Sequence, residues 1–144
     1  MKKLDLAYIA GLFDGEGSLT IFSFLRNGRK FHTLSISIAN QDKQVISWVR
    51  DLFGGSVHDC MSAASKKGTG NPCWMWTTGS QVAKRFLLAV GPYTKIKKAR
   101  VELAIQFQNT KSRGRRSQLI PASLIEKRDW YQSEIRRLNR TVGL

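Results

Sequence analysis

Alternating apolar and polar residues near the N-terminus predict a β-hairpin. Residues 18–25 form the predicted first strand and residues 31–39 the second, with a tight Asn27-Gly28 turn between them. On one face, the first strand carries Thr20, Phe22 and Arg26, and this face is expected to stay open. The opposite face is apolar in both strands and should be buried in a core formed by Leu19, Ile21, Leu34, Ile36 and Ile38.

A second hairpin is predicted over residues 56–62 and 73–78. The connection between these strands is basic and long for a hairpin, which suggests a functional tip. Trp74 and Trp76 alternate onto one face of the second strand, which favours burial over base stacking. Trp48 and Trp130, in two predicted helices, are expected to be core residues as well.

Apolar residues at helical spacing predict helices before, between and after the hairpins. Asp5, Ser80 and Ser123 are predicted N-caps, because their side chains accept backbone N–H bonds. The predicted stops contain glycine and are Gly15, Gly17, Gly54-Gly55 and Gly91-Pro92. The predicted helices span residues 6–13, 41–53, 80–90, 95–108 and 123–139.

The resulting order of elements is αββαββα followed by further helices, which indicates an α+β protein. Two hairpins, each followed by a helix, are expected to combine into one sheet with the helices on one face. The other face would leave four strands free to lie along a partner. A chain of 144 residues has room for one modest core, so residues 1–144 are expected to form a single domain.

The charge of the chain indicates a polyanionic partner. Lysine and arginine number 24 against 10 aspartate and glutamate residues, which gives a formal net charge of +14. A compact domain this basic repels itself, and nucleic acid is the partner that balances such a charge most directly. An acidic membrane surface is the weaker alternative, because no basic amphipathic helix has a bulky apolar face.

Cysteine spacing and apolar runs argue against a zinc protein and against a membrane protein. Cys60 and Cys73 form no CxxC pair and lie near no histidine cluster, so zinc is not expected and both thiols should be free. The N-terminus lacks a signal-peptide cleavage site, and no apolar run has the length of a membrane span. These features predict an intracellular, soluble protein.

The segment Ile9–Gly17, IAGLFDGEG, carries the candidate chemistry. Ala7 and Gly11 lie four residues apart, so one helix face is nearly bare backbone and permits close approach of another helix. Asp14 and Glu16 follow, grouped amid a basic surface in a chain short of acids. Such carboxylates suit a hard cation such as Mg²⁺, although they also occur where a helix simply ends in a solvated turn.

This segment resembles the signature of the LAGLIDADG homing endonucleases. Ala10, Gly11, Leu12, Asp14 and Gly17 match its letters, and position 16 keeps an acid, glutamate in place of the commoner aspartate. The resemblance implies the αββαββα fold of that family, a saddle-shaped antiparallel sheet with helices on one face. The core would cover about residues 4–108, with a C-terminal helical extension over about residues 109–144.

The resemblance also implies an active site at the end of the motif helix. Glu16 would bind Mg²⁺, or Mn²⁺ in its place, with the backbone carbonyl of Gly15 as a further ligand. Asn40 matches a polar residue that orders solvent in the family, and Lys97, with Lys98 as an adjacent candidate, matches a basic residue near the attacking water. Simpler interpretations also exist, because Asn40 suits a helix N-cap and Lys97 an exposed helix face.

The resemblance further implies that the open sheet face lies in the major groove of duplex DNA. Predicted base contacts in the first hairpin are Arg26, Arg29, Lys30, Thr33, Ser35 and Ser37. Weaker candidates in the second hairpin are His58, Lys66, Lys67, Met75 and Thr77. Predicted phosphate contacts are Lys111, Arg113, Arg115 and Arg116.

Two subunits would pair through the motif helix. The predicted dimer interface consists of Ala7, Ala10, Gly11 and Asp14. The alternative is that Ala7 and Gly11 pack inside one subunit. One motif per chain supplies one half-site, so two chains are needed to cut two strands.

The predicted function is a homodimeric, Mg²⁺-dependent endonuclease that cuts a long, pseudo-palindromic duplex site, as in intron homing. Two alternatives with the same fold remain open. One is an RNA maturase with intron RNA as its partner, and the other is a DNA-binding regulator without cleavage. Glu16 and Lys97 favour the enzyme over the regulator.

Overall fold

The structure of the protein is a computed structural model that describes residues 1–60, 71–111 and 119–141. Its elements follow the predicted order. The described helices are α1 (Lys3–Glu16), α2 (Lys43–Phe53), α3 (Ser80–Val90), α4 (Lys98–Asn109) and α5 (Ala122–Thr141). The described strands are β1 (Gly17–Arg26), β2 (Arg29–Asn40), β3 (Ser56–Asp59) and β4 (Trp74–Gly79). A short 3-10 turn, Gly91–Tyr93, follows α3.

These four strands form one antiparallel sheet in the order β1-β2-β4-β3. The predicted turn joins β1 to β2, and both Asn27 and Gly28 have positive φ angles, 53° and 73°. Such a turn matches the right-handed twist of the flanking strands, and asparagine and glycine adopt it readily. The prediction of an α+β fold built on an antiparallel sheet is confirmed.

The core lies between the sheet and the helices. The predicted apolar face of the first hairpin is buried, with at most 2% exposure of any side chain among Leu19, Ile21, Leu34, Ile36 and Ile38. The helices close the core from the other side with Phe13, Phe86, Val101, Phe107 and Ile135. Because side chains alternate along a strand, the opposite face of the sheet points away from this core.

Three of the four predicted core tryptophans lie as expected. Trp76 is fully buried, and Trp48 and Trp74 are partly buried against the core. Trp130 contradicts the prediction, because it lies on the outer face of α5 with 53% of its surface exposed. Tyr131, the next residue of α5, is buried in its place.

Helix α5 packs against β1, which is an edge strand. Backbone groups on the outer side of an edge strand have no ladder partner, so they need other hydrogen bonds. The side chain of Gln132 donates to the carbonyl of Ile21 at 3.0 Å, and that of Asn139 donates to the carbonyl of Leu19 at 3.0 Å. None of the helices in the described ranges combines the length and apolar character that a membrane span requires.

The three predicted N-caps are wrong. Asp5 lies inside the first turn of α1, and Ser80 and Ser123 are themselves helical residues of α3 and α5. In contrast, Asp42 caps α2, because its carboxylate accepts two backbone N–H bonds of the first turn at 2.9 and 3.2 Å. Apolar periodicity locates a helix, but its first residue depends on the local path of the chain.

Helix α1 is also longer than predicted, because it continues through Gly15 to Glu16, and Gly17 is its C-cap. A Cβ atom at Gly17 would lie 2.3 Å from the Phe13 ring and 2.5 Å from the Phe13 carbonyl oxygen, so only glycine fits there. Helix α4 begins at Lys98 rather than at residue 95. Residues 95–97, which were predicted to be helical, are instead bound through their backbone to Asp14 near the end of α1.

Candidate functional site

Glu16 is exposed at the C-terminal end of α1. Its Oε2 atom accepts a hydrogen bond of 2.7 Å from Nδ2 of Asn40, the last residue of β2. The Oδ1 atom of Asn40 accepts the backbone N–H of Asp42 at 2.8 Å, which fixes the orientation of the amide. The structure thus brings together two of the predicted site residues, and the cap of α2 is Asp42 rather than Asn40.

Asp14 holds the segment that leads into α4. Its Oδ2 atom accepts the backbone N–H groups of Lys95 at 2.7 Å and Ile96 at 3.2 Å, and its Oδ1 atom accepts that of Lys97 at 3.0 Å. Hydrogen bonds to an ionised acceptor are stronger than those between neutral groups. The carboxylate that was predicted at the dimer interface is therefore engaged within its own chain, and its contact with a second subunit stays a prediction.

Lys97 is buried, with 6% of its surface exposed, and lies against the C-terminal end of α1. Its Nζ atom donates to the backbone carbonyl of Asp14 at 2.8 Å. Burial lowers the pKa of Lys97, and the nearby charge of Arg100 lowers it further, whereas Asp14 raises it. Lys97 is therefore not an ordinary exposed lysine of a helix face, and the adjacent Lys98 is the exposed one.

A second buried cation, Arg100, lies one helical turn beyond Lys97 and was not identified from the sequence. Its Nη1 atom donates to Oδ1 of Asn139 at 2.9 Å, and its Nη2 atom is buried without a hydrogen-bond partner among the described residues. Burial lowers the pKa of Arg100, whereas the charge of Asp14 raises it. The carbonyl end of α1 therefore contacts one buried cation, Lys97, and Arg100 adds a second positive charge that interacts with Asp14, an arrangement that the helix dipole favours.

The outer face of α1 carries Ala7, Gly11 and Gly15 together with the exposed side chains of Leu4 and Tyr8. A Cβ atom at Gly11 or Gly15 would meet nothing within 4 Å. Ala7 and Gly11 line an open groove of about 680 Å³ together with residues 92–95, so they do not pack inside their own subunit. Ala10 is fully buried, which corrects its predicted place on this face.

The open face of the sheet carries most of the predicted DNA contacts. Residues paired across neighbouring strands project to the same face of the sheet. The antiparallel registers therefore show which residues of all four strands share the open face. The predicted residues on this face are Arg26, Arg29, Thr33, Ser35, Ser37, His58, Met75 and Thr77. Of the described strand residues that project to it, none is acidic.

Two other predicted contacts lie on the helix-covered side. The Nζ atom of Lys30 forms an ion pair of 2.8 Å with Asp129 of α5. Lys111 is partly buried and donates through Nζ to the carbonyl of His32, and burial lowers its pKa. Both lysines are therefore engaged within the chain, which corrects their prediction as DNA contacts. The remaining predicted contacts lie outside the described residues, namely Lys66, Lys67, Arg113, Arg115 and Arg116.

His32 and Asp129 form a partly buried polar contact that the sequence did not predict. The Nε2 atom of His32 lies 2.7 Å from Oδ1 of Asp129, beside the ion pair with Lys30. Hydrogen bonds from Lys30 and His32 hold the pKa of Asp129 below its ordinary value. The one signal in the sequence is that a polar residue, His32, lies on the same face of β2 as the apolar residues Leu34, Ile36 and Ile38.

The C-terminal end of α1 offers part of a metal site. Within residues 1–60, 71–111 and 119–141, no three His, Cys, Asp or Glu side chains come together as metal ligands. Glu16 offers an exposed carboxylate, and the carbonyl of Gly15 lies in the last turn, where helical N–H partners run out. One chain therefore offers part of an oxygen ligand set for a hard cation, and further oxygen ligands must come from outside.

Neither a protein-family model nor a curated protein matches the sequence significantly. Solved structures are similar to it, however. The homing endonuclease I-CvuI, in complex with the I-CreI target in the presence of Mg, has a TM-score of 0.73 at 14% identity, over 94% of this chain and 82% of that chain. The archaeal intron-encoded homing endonuclease I-Vdi141I, complexed with DNA, has a TM-score of 0.75 at 12% identity, over 96% and 86%.

A longer structure matches as well. The LAGLIDADG homing endonuclease I-GzeII, in complex with its DNA target, has a TM-score of 0.68 at 18% identity, and the match covers 88% of this chain but only 43% of that chain. At such low identities the similarity concerns the path of the backbone. With the IAGLFDGEG segment forming the end of α1, the chain has the fold of the LAGLIDADG homing endonucleases.

Proposed function

We propose that this protein is a DNA endonuclease that cuts a specific duplex site as a homodimer, with Mg²⁺ bound at Glu16. The observation that carries the proposal is the 2.7 Å bond between Glu16 and Asn40 at the end of α1, the same helix end where buried Lys97 donates to the carbonyl of Asp14. An exposed carboxylate can hold a metal ion that activates water, and a shielded cation can stabilise the charge that develops during phosphodiester hydrolysis.

The open sheet face is the proposed seat of the duplex. A β-ribbon fits the major groove, and its serine and threonine hydroxyls can both donate to and accept from base edges. Arg26 and Arg29 lie at the tip of the first hairpin, where they suit phosphate contacts. I-CvuI, I-Vdi141I and I-GzeII, which share the fold, are bound to DNA in their structures, and this likeness supports the same ligand here.

Glu16 is the proposed metal ligand, and the carbonyl of Gly15 is a second oxygen within the same turn. Bound Mg²⁺ would activate water and neutralise charge on the phosphate. Asn40 orients the carboxylate through its Nδ2 atom and leaves Oε1 of Glu16 without another hydrogen-bond partner among the described residues. Lys97 supplies a positive charge that stabilises the negative charge developing on the phosphate and the leaving oxygen.

The proposed dimer forms through the outer face of α1. Glycine inside a helix costs roughly 1 kcal/mol relative to alanine, and no contact with the described residues requires Gly11 or Gly15. A second helix at close range would explain both glycines and would bring two copies of Glu16 together. The match to less than half of the I-GzeII chain is consistent with one subunit supplying half of a complete enzyme.

A cleavage assay tests the proposal. The protein is incubated with a randomised duplex library, with Mg²⁺ or with EDTA, and new DNA ends are sequenced. We expect a defined cut site with Mg²⁺, no cutting with EDTA, and a loss on the order of 10²-fold or more in Glu16→Gln. Glu126→Gln, an exposed acid on α5 with no described hydrogen bond, is the matched control and should cut like the wild type.

Four outcomes would contradict the proposal. Tight duplex binding without cutting would indicate a regulator, and selective binding of folded intron RNA would indicate a maturase. Undiminished cutting by Glu16→Gln would place the chemistry elsewhere. Sedimentation of the protein bound to its selected duplex should give two chains per duplex, and one chain per duplex would exclude the proposed dimer.

A further inference from the structure

Large aromatic side chains lie exposed on the open face of the sheet. Phe22 is 54% exposed and Phe24 is 48% exposed. The ring of Phe24 stacks on that of Phe31 across the hairpin, with centroids 5.6 Å apart and an interplanar angle of 20°. Because the core lies on the other side of the sheet, these three residues, which we call the phenylalanine cluster, contribute nothing to its burial.

The chemistry around the cluster is that of a polar, positively charged surface. Arg26 and Arg29 follow on the same face toward the hairpin tip, and no acidic strand residue projects to this face within the described chain. A protein segment that covered the cluster would have to offset this charge with acidic groups of its own. A polyanion that also presents small apolar groups would match both the positive charge of this face and its exposed phenylalanine rings.

A shallow groove of about 470 Å³ begins at Phe22. Thr33, Ser35 and Thr77 line it with hydroxyl groups. Gly79 leaves its floor as bare backbone, because a Cβ atom there would lie 2.7 Å from the carbonyl oxygen of Leu34. Phe22 is therefore an apolar wall next to several groups that donate and accept hydrogen bonds.

In the major groove, an A·T pair presents the thymine methyl group beside hydrogen-bond donors and acceptors. Apolar side chains contact that methyl group, and hydroxyls contact the polar edges. We infer that the phenylalanine cluster recognises the C5-methyl groups of thymines, with Thr33, Ser35 and Thr77 contacting the polar edges of the same region. This inference rests on the proposed binding of duplex DNA and adds the base class that this part of the face selects.

The strand also determines where those thymines lie. A strand advances about 3.3 Å per residue, close to the 3.4 Å per base pair of B-DNA. Phe22 and Phe24 lie five and seven residues beyond Gly17, next to the proposed site at Glu16. The methyl-dependent positions are therefore expected about five to seven base pairs outward from each cut.

The test removes single methyl groups from DNA. Duplexes that bind most tightly are selected from a random library in EDTA, and each thymine is then replaced singly by deoxyuridine, which lacks only the methyl group. We expect affinity to fall about fourfold at the outer positions, as burial of one methyl group predicts, and less than twofold elsewhere. Phe22→Ala should abolish this difference between thymine and uracil.

The matched control is Leu25→Ala. Leu25 is 75% exposed in the same strand but projects to the other face, so this variant should keep the full sensitivity to the methyl group. Phe24→Ala is a second test variant, and thermal unfolding monitors the fold of all three. Selected duplexes that bind equally well with uracil at every position would overturn the inference alone. A library without any enriched duplex would overturn the proposed function with it.

Discussion

Asp14 and Lys97 depend on each other for their positions at the end of α1. The carboxylate of Asp14 binds three backbone N–H groups of residues 95–97, and the ammonium group of Lys97 returns to the Asp14 carbonyl at 2.8 Å. This reciprocal arrangement keeps a cation at the C-terminal end of α1 while most of its surface is shielded from water. A shielded cation stabilises developing negative charge more strongly than one in solvent.

Lys97→Met should separate catalysis from binding. Methionine has a similar length and tolerates burial, so the variant should fold, but it lacks the charge. We expect the single-turnover cleavage rate to fall on the order of 10²-fold, with duplex affinity in EDTA changed less than about threefold. Lys98→Met, at the exposed neighbouring position, is the control. An unchanged rate in Lys97→Met would remove Lys97 from the proposed machinery.

Cys60 allows a prediction about pH. The two cysteines are free, as predicted, and the backbone N–H of Cys60 donates to the Cys73 carbonyl at 3.1 Å. Burial raises the pKa of Cys60 to about 11, and its contact with the Cys73 thiol contributes to the increase. Since only the thiolate is nucleophilic, Cys60 is expected to be almost entirely protonated at pH 8.

Alkylation by iodoacetamide, followed by peptide mass spectrometry, measures this effect. At pH 8 the modification of Cys60 should be about two orders of magnitude slower in the folded protein than in urea, where its pKa returns to about 8.5. The folded rate should rise about tenfold per pH unit until the pH approaches 11. Equal rates in the folded and unfolded chain at pH 8 would contradict the raised pKa.

At the scale of elements, the order of strands and helices could be predicted because it follows from periodicity. The alternation in β1 and β2 required one buried face, and Leu34, Ile36 and Ile38 are buried accordingly. Helix ends could not be predicted equally well. Helix α4 starts late because Asp14, 83 positions from Lys97, captures the backbone before it, and no local pattern reports such a contact.

The proposed pairing of α1 predicts opposite effects of one substitution on the monomer and on the dimer. Gly11→Ala removes an unfavourable helical glycine, and its Cβ atom would enter open space. The free energy of unfolding of the monomer should therefore increase by about 0.5–1 kcal/mol, as measured by urea denaturation at low protein concentration. The same methyl group would hold two closely packed helices apart. The dissociation constant of the dimer should therefore increase at least about tenfold.

Ser133→Ala on the exposed side of α5 serves as the control, because it raises helix propensity without touching α1. It should leave the dimer dissociation constant unchanged in sedimentation equilibrium. If Gly11→Ala stabilised the monomer and left association equally strong, the outer face of α1 would not be the interface.

At the scale of the whole molecule, the excess of 14 positive charges indicated the class of partner, but not which cations would face it. Arg26 and Arg29 lie on the open sheet face, whereas Lys30, adjacent in sequence, pairs with Asp129. Alternation along β2 places Arg29 and Lys30 on opposite faces of the sheet. The ion pair of Lys30, however, depends on Asp129 in α5, which lies almost 100 residues away. The sequence therefore predicted the sheet face better than it predicted the partners of individual lysines.

The salt dependence of DNA binding tests this division of charges. Each phosphate contact that is lost should reduce the slope of log affinity against log salt concentration by about 0.9. Arg26→Ala and Arg29→Ala should each produce a reduction of this size on a selected duplex, because both guanidinium groups are exposed on the open face. Lys30→Ala should leave the slope unchanged, since its ammonium group is already paired with Asp129 on the opposite side. A reduction in Lys30→Ala equal to that in Arg29→Ala would mean that the duplex approaches the helix-covered side, and that the open sheet face is not where this protein binds.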